Sequence, residues 1–234
     1  KKKETPFMLD GFGLANQWGP EVFMRALKGH PSYRLAKVKG VSIEKTEENQ
    51  ITIYIDYVNS YTDKTERLSL HFKDFNSLSK RFFEALDEMV VMKMKTNDLK
   101  ELKINLKGFR EIGGDDFDIF GKSTIPALSN LEKLSLSLEK CGVTGNRFQV
   151  LMNSIGTCLK KLESLDLNLR DLLVFFSDKD LTNLTNSLHG IPQLKSLRLN
   201  LGNLKITDQG IESLANNIAR NMPSLNQLCI ICDK

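Results

Sequence analysis

The chain has 234 residues, 41% hydrophobic and 26% charged, the make-up of an ordinary globular protein rather than of a low-complexity one. Its 33 basic and 29 acidic side chains leave a net charge of +4 spread along the chain, without the basic stripe and interleaved aromatics of a dedicated nucleic-acid binder. No apolar run approaches the length needed to cross a bilayer and no signal-peptide pattern opens the chain, so neither membrane insertion nor secretion is expected.

In chain order, Lys1-Lys2-Lys3 reads as a solvated tail. Gly11-Phe12-Gly13-Leu14 is no phosphate loop, because no Gly-Lys-Ser/Thr follows it. Trp18 reads as an anchor for its own segment, and Gly19-Pro20 starts a helix over residues 21–29 that Gly29 stops. Residues 35–43 suit a strand, 51–57 alternate strictly, and 68–72 alternate again, with 59–63 as a hairpin loop between the last two. Phe75, Leu78, Phe82, Phe83, Leu86 and Met89 then mark the buried side of a helix.

From residue 99 the chain repeats itself. Leu162-Glu163-Ser164-Leu165-Asp166-Leu167-Asn168-Leu169 has close copies at 99–106, 131–138 and 194–201, and a weaker one at 225–230. The second leucines fall at 102, 134, 165, 197 and 228, steps of 32, 31, 32 and 31 residues. Leucine alternating with polar residues is a strand with one buried face. Between the strands, Phe148, Leu151, Met152, Ile155 and Leu159 recur at helical spacing, as do Leu181, Leu184 and Leu188, and Ile211, Leu214, Ala215, Ile218 and Met222. A strand–turn–helix unit cannot bury its apolar face alone, so the units stack with parallel strands on one side and helices on the other. Helices are wider than strands, which curves the stack into a horseshoe with the strands inside. The fold expected is therefore an α/β solenoid: repeats over 67–234, about five, with 68–72 as a degenerate first repeat strand and the last repeat truncated. Residues 1–66 supply a helix and a β-hairpin cap, or else form a separate domain.

These residues resemble a leucine-rich-repeat protein of the ribonuclease-inhibitor-like class. Leu204-Lys205-Ile206-Thr207-Asp208-Gln209-Gly210-Ile211-Glu212-Ser213-Leu214 is similar to that class's loop into its helix. Cys141-Gly142-Val143-Thr144-Gly145 carries a cysteine where the class often places one, at the end of the strand. The chain departs from the class in its longer repeats, in an extra leucine per strand, and in Leu172 and Leu204 standing where an Asn or Cys is usual. With the doubled strand motif the repeats resemble divergent ones of ciliate and other protist proteins.

Chemistry has little to build on. His30, His71 and His189 sit in unrelated contexts with no neighbour that suggests a triad or a ligand set. Gly113-Gly114-Asp115-Asp116-Phe117-Asp118 lacks the ligand spacing of a calcium loop and reads as a loop connecting repeats. Cys229-x-x-Cys232 is half a zinc site without a second pair, and with Cys141 and Cys158 it points to free thiols in a reducing intracellular compartment. No catalytic residue, metal or cofactor is assigned.

The inner sheet face is the candidate site. Its residues are Lys103, Asn105, Lys107, Ser135, Ser137, Glu139, Asp166, Asn168, Arg170, Arg198 and Asn200, with Arg170 and Arg198 as candidate anchors for a protein partner. The expectation is a non-catalytic protein-interaction module, a scaffold subunit of an intracellular, cytoplasmic assembly. The alternatives are a substrate adaptor of a ubiquitin ligase, an enzyme regulator, or an RNA-binding subunit of a ribonucleoprotein. The missing initial Met and the ending just after a strand read as a processed product or a piece of a longer protein, with further repeats or a partner expected beyond Leu228 and Ile230.

Overall fold

The computed structural model describes residues 3–8, 36–45, 51–59, 65–72, 83, 84, 87, 99–108, 114–173 and 175–233. Among the described residues nine strands form one sheet: β1 (Lys3–Met8), β2 (Ala36–Lys45), β3 (Ile51–Asn59), β4 (Thr65–Phe72), β5 (Glu101–Asn105), β6 (Lys133–Ser137), β7 (Ser164–Asn168), β8 (Ser196–Asn200) and β9 (Gln227–Ile231), in the order β1-β4-β3-β2-β5-β6-β7-β8-β9. From β5 to β9 every pair is parallel and the repeat leucines sit side by side, Leu102 against Leu134, Leu165, Leu197 and Leu228.

Helices alternate with these five strands. The first segment, α1 (Gly114–Ile119), runs into a π-helical turn (Phe120–Thr124) and a last short piece (Ile125–Ala127). Then come α2 (Gly145–Cys158), α3 (Asp178–Leu188) and α4 (Asp208–Asn221). The loop expected over residues 113–118 is thus helical from Gly114 onward. Phe117 and Phe120 are one helical turn apart, and their rings pack on the buried Phe83 at 5.9 and 6.2 Å. That aromatic cluster outweighs the paired glycines and the acidic run that suggested a loop.

Strand leucines and helix residues share one core. Leu134, Leu136, Leu165, Leu167, Leu197 and Leu199 are all essentially inaccessible, and each fully buried leucine contributes roughly 1.5–3 kcal/mol. The extra leucine of each copy, Leu138, Leu169 and Leu201, is buried too, so the doubled motif lengthens the core along the strand. The arrangement is solenoid-like. No helix among the described residues is long and apolar enough to cross a membrane.

Each strand leaves through the same turn. Gly108, Lys140, Asp171 and Asn203, spaced at the repeat interval, have φ of 80°, 57°, 55° and 58°, a left-handed conformation that costs a residue with a Cβ about 1 kcal/mol. Just before it, the side-chain oxygens of Asn105, Asn168 and Asn200 accept the backbone N–H two residues on, at 3.1–3.2 Å. Asparagine closes these turns as an Asx turn.

The N-terminal side differs from expectation in two ways. The 68–72 strand does not lie beside β5 as a degenerate first repeat. It belongs to β4, which pairs antiparallel with β3, while β2 occupies the place next to β5 and runs parallel to it. Spacing alone suggested the wrong neighbour: Leu68 stands near one repeat period before Leu102, but β2 carries its own alternation and pairs along five positions, Gly40 to Glu44. The second difference is β1, a strand parallel to β4 that takes Lys3 out of the supposed tail. The helix over 21–29, residues 60–63 of the expected hairpin loop, Phe75, Leu78, Phe82, Leu86 and Met89 of the expected helix, Lys1, Lys2, Trp18, His30 and the Gly11–Leu14 stretch lie outside the described residues.

Candidate protein-binding face

The sheet face opposite the helices is built from the positions between the buried leucines. In-register pairing arranges them in rows that cross the strands. The middle row is Lys103, Ser135, Asp166, Arg198 and Cys229; the next is Asn105, Ser137, Asn168, Asn200 and Ile231. Just past the strand ends lie Lys107, Glu139, Arg170, Gly202 and Asp233, joined by backbone hydrogen bonds from one turn to the next. All eleven residues expected on this face are at least partly exposed.

The rows differ in how far they are occupied by their own neighbours. At the strand exits, Lys107 Nζ meets Glu139 Oε1 at 2.9 Å, and Asn168 Nδ2 donates to Glu139 Oε2 at 3.2 Å. Arg170 Nη1 is bound to Asp233, a contact that holds its guanidinium pKa above the ordinary value, and its Nε lies 3.6 Å from Asp171. Arg170 is therefore a clamp between turns. Asn105, Asn168 and Asn200 spend an oxygen on their turns, a structural task that sequence reading did not assign to them.

In the middle row the Asp166–Arg198 pair is looser. Arg198 Nε approaches Asp166 Oδ1 only to 3.9 Å, and the two side chains stay 54% and 43% exposed. Burial pushes the Asp166 carboxyl above the usual range, against the pull of Arg198 and Lys103. A carboxylate partly desolvated and loosely paired is poised for an added donor. Of the two expected anchors, Arg198 keeps this freedom and Arg170 does not.

On the opposite side, α2 and α3 border a polar groove of about 460 Å³ lined by Gln149, Asn153, Lys160, Asn183 and Ser187 among others. Its groups satisfy one another: Lys160 Nζ donates to the carbonyls of Gly156 and Gly190 at 2.8 and 2.7 Å, and Ser187 Oγ donates to Asn153 Oδ1 at 3.0 Å. None of the four cysteines is in a disulfide; Cys141 is buried, whereas Cys229 and Cys232 are exposed. Among the described residues, no group of three or more His, Cys, Asp or Glu is placed to hold a metal ion.

No protein-family model matches this chain, and no curated protein sequence matches it.

One surface feature leaves no mark in the leucine pattern: the exit loop of β7, where Leu173 and Phe175 are 54% and 69% exposed. Its signal was loop length: residues 169–177 between β7 and α3 are nine, against seven in 138–144 and in 201–207. The shorter α3 restores the period and hides the insertion from a count of leucines.

Proposed function

We propose that the chain is a non-catalytic protein-interaction module, a leucine-rich-repeat segment of the ribonuclease-inhibitor-like kind that serves as a scaffold subunit of an intracellular assembly. The repeat reading is supported by the steps of 31 and 32 residues, by the in-register parallel strands, and by the Cys141 thiol on the Leu106 carbonyl. The observation that carries the functional reading is the loosely paired Asp166 and Arg198, which share their row with Lys103 and Ser135. Strands about 4.8 Å apart present these groups at the spacing of an extended contact surface. Burial raises the Asp166 carboxyl pKa in that row, a perturbation of the kind found at functional groups.

The outer edge of β9 belongs to the same reading. Leu228 is 47% exposed, whereas its register partner Leu197 is 1% exposed. That exposed leucine adds apolar contact area to the interaction surface.

The test is a charge swap, Asp166→Arg with Arg198→Asp, which keeps the pair but reverses the pattern shown to a partner. Affinity purification under native conditions returns a stoichiometric protein with the unaltered chain, and the swap reduces its retention about tenfold. Unchanged retention removes the contact from this row, and the lack of any stoichiometric partner contradicts the scaffold reading.

A further inference from the structure

Among the described residues, β9 has β8 on one side and no strand on the other. Its bonds to β8 begin with Gln227 N–H on the Lys195 carbonyl at 3.0 Å and end with the Ile231 carbonyl accepting from Leu201 N–H at 2.8 Å. Direction alternates along a parallel pair, so Cys229 also turns its backbone toward β8, whereas Leu228 and Ile230 turn theirs outward. This edge is not blunted: Gln227-Leu228-Cys229-Ile230-Ile231 holds no charge and no proline. The opposite edge of the sheet, β1, carries Lys3, Glu4 and Pro6, residue types that discourage strand addition. Leu228 adds an apolar side chain 47% exposed, two positions from the half-buried Ile230.

α4 shares its core with Ile230 and continues the same open side. Phe148 and Ile211 each stand four residues past their N-caps, Thr144 and Thr207, so α2 and α4 align position by position. In α2, Gln149 and Asn153 bond the Ser187 hydroxyl of α3 at 3.3 and 3.0 Å, and a methyl on Gly156 would strike the Ser187 carbonyl. The matching positions of α4 are Glu212, Asn216 and Ala219, all without a facing helix among the described residues, and Glu212, Asn216 and Ala219 are exposed. Arg220 matches Thr157, which lines the groove between α2 and α3, and is exposed as well. Neither Glu212 nor Arg220 enters an ion pair among the described residues. The helix is therefore acidic in its first half, with Asp208 and Glu212, and basic in its last turn at Arg220.

We propose that this side of the molecule binds a second copy of the chain across a two-fold axis, with β9 antiparallel to β9. Centred on Cys229, the pairing sets the outward backbone groups of Leu228 against those of Ile230 in the other copy, and the reverse. The same axis reverses α4, so Arg220 of each copy meets the acidic half of the other. Charge complementarity selects this two-fold, because a copy laid parallel would place acid beside acid and Arg220 beside Arg220. Antiparallel helices also oppose their dipoles. One short strand and one helix face make a small interface, with a Kd on the order of micromolar. The proposal goes beyond the interaction-module reading and does not use the Asp166–Arg198 contact.

Sedimentation velocity of the full chain from about 1 to 100 µM brackets that affinity and shows one chain passing to two. Leu228→Lys places a charge on the edge and weakens the dimer about tenfold. Arg220→Glu weakens it severalfold, and the double variant Glu212→Arg/Arg220→Glu restores it. Melting temperatures change little in these two, because both side chains are exposed. Cys229 gives an independent reporter. In the proposed register the two Cys229 residues face each other at a non-hydrogen-bonded site, with Cα atoms about 4.5 Å apart and within disulfide range. Diamide, which takes up the two hydrogens of two thiols, then yields a Cys229–Cys229 bridge that mass spectrometry identifies, with Cys158 and Cys232 left unbridged. A chain that stays monomeric overturns the proposal, and slow hydrogen exchange at Leu228 and Ile230 in that monomer would show the chain covering its own edge. A dimer indifferent to Leu228→Lys, one not restored by the double swap, or one bridged only through Cys158 or Cys232 overturns it as well.

Discussion

The Cys141 thiol donates to the Leu106 carbonyl oxygen at 2.8 Å, tying one repeat to the next just beyond their strands. In the following two repeats Leu172 and Leu204 stand at this position and pack against the core, so a polar tie gives way to an apolar one along the stack. Cys141→Ala leaves that carbonyl without the thiol and opens a small void. We expect a loss of about 1–3 kcal/mol in urea unfolding, with Cys141→Ser losing less because its hydroxyl still donates.

Gly156 and Gly190 set the approach of α2 to α3. A methyl on Gly156 would collide with the Ser187 carbonyl, and one on Gly190 with the Gly156 carbonyl; both obstacles are backbone. Either change to alanine should cost about 2 kcal/mol or more, read as a fall in melting temperature. Gly145→Ala is the control, since its methyl would meet only Asp180 Oδ1, at 3.2 Å, and a much smaller fall is expected.

Asp178 links the N-terminus of α3 to that of α4. The bonds from Thr207 Oγ1 and N–H hold its carboxyl below the usual range. A depressed folded-state pKa gives stability that is present above the unfolded value of about 3.9 and disappears as pH falls through the folded one. Asp178→Ala should therefore lower the melting temperature at pH 7, and the difference from the unaltered chain should shrink in strong acid. A gap independent of pH would assign the effect to packing instead.

Asp166 carries the opposite sign. Burial raises its carboxyl pKa, so its contribution is full below about pH 3.9 and is lost as pH rises through the folded value. Asp166→Asn is predicted to raise the melting temperature at pH 7 and to leave it nearly unchanged at low pH, while weakening partner binding. A fall at pH 7 would mean that the distant Arg198 contact outweighs desolvation.

The repeat was legible because leucine at fixed spacing reports both the strand and its buried face. Leu134, Leu165 and Leu197 fall side by side where counting put them, and the apolar stripes of α2, α3 and α4 face the core. Ala215 is an exception: it sits at helical spacing but is exposed, because α4 packs against α3 alone among the described helices. Pairing order was not legible, since alternation is clean in β4 and interrupted between Val38 and Gly40 in β2, yet tertiary contacts place β2 beside β5. Within the site, sequence gave each residue its face but not its partners. Arg170 and Arg198 look alike as letters, yet the chain returns Asp233 to the first and nothing as close to the second. The exposed Leu173 and Phe175 of the β7 exit loop escape the leucine count because a shortened α3 conceals the insertion.

Crosslinking mass spectrometry of the complex purified under native conditions tests the central claim most directly. The account predicts links from a stoichiometric protein to Lys103 and Lys107 on the sheet face. Links confined to Lys122 and Lys160 on the helix side, or no stoichiometric partner at all, would contradict it.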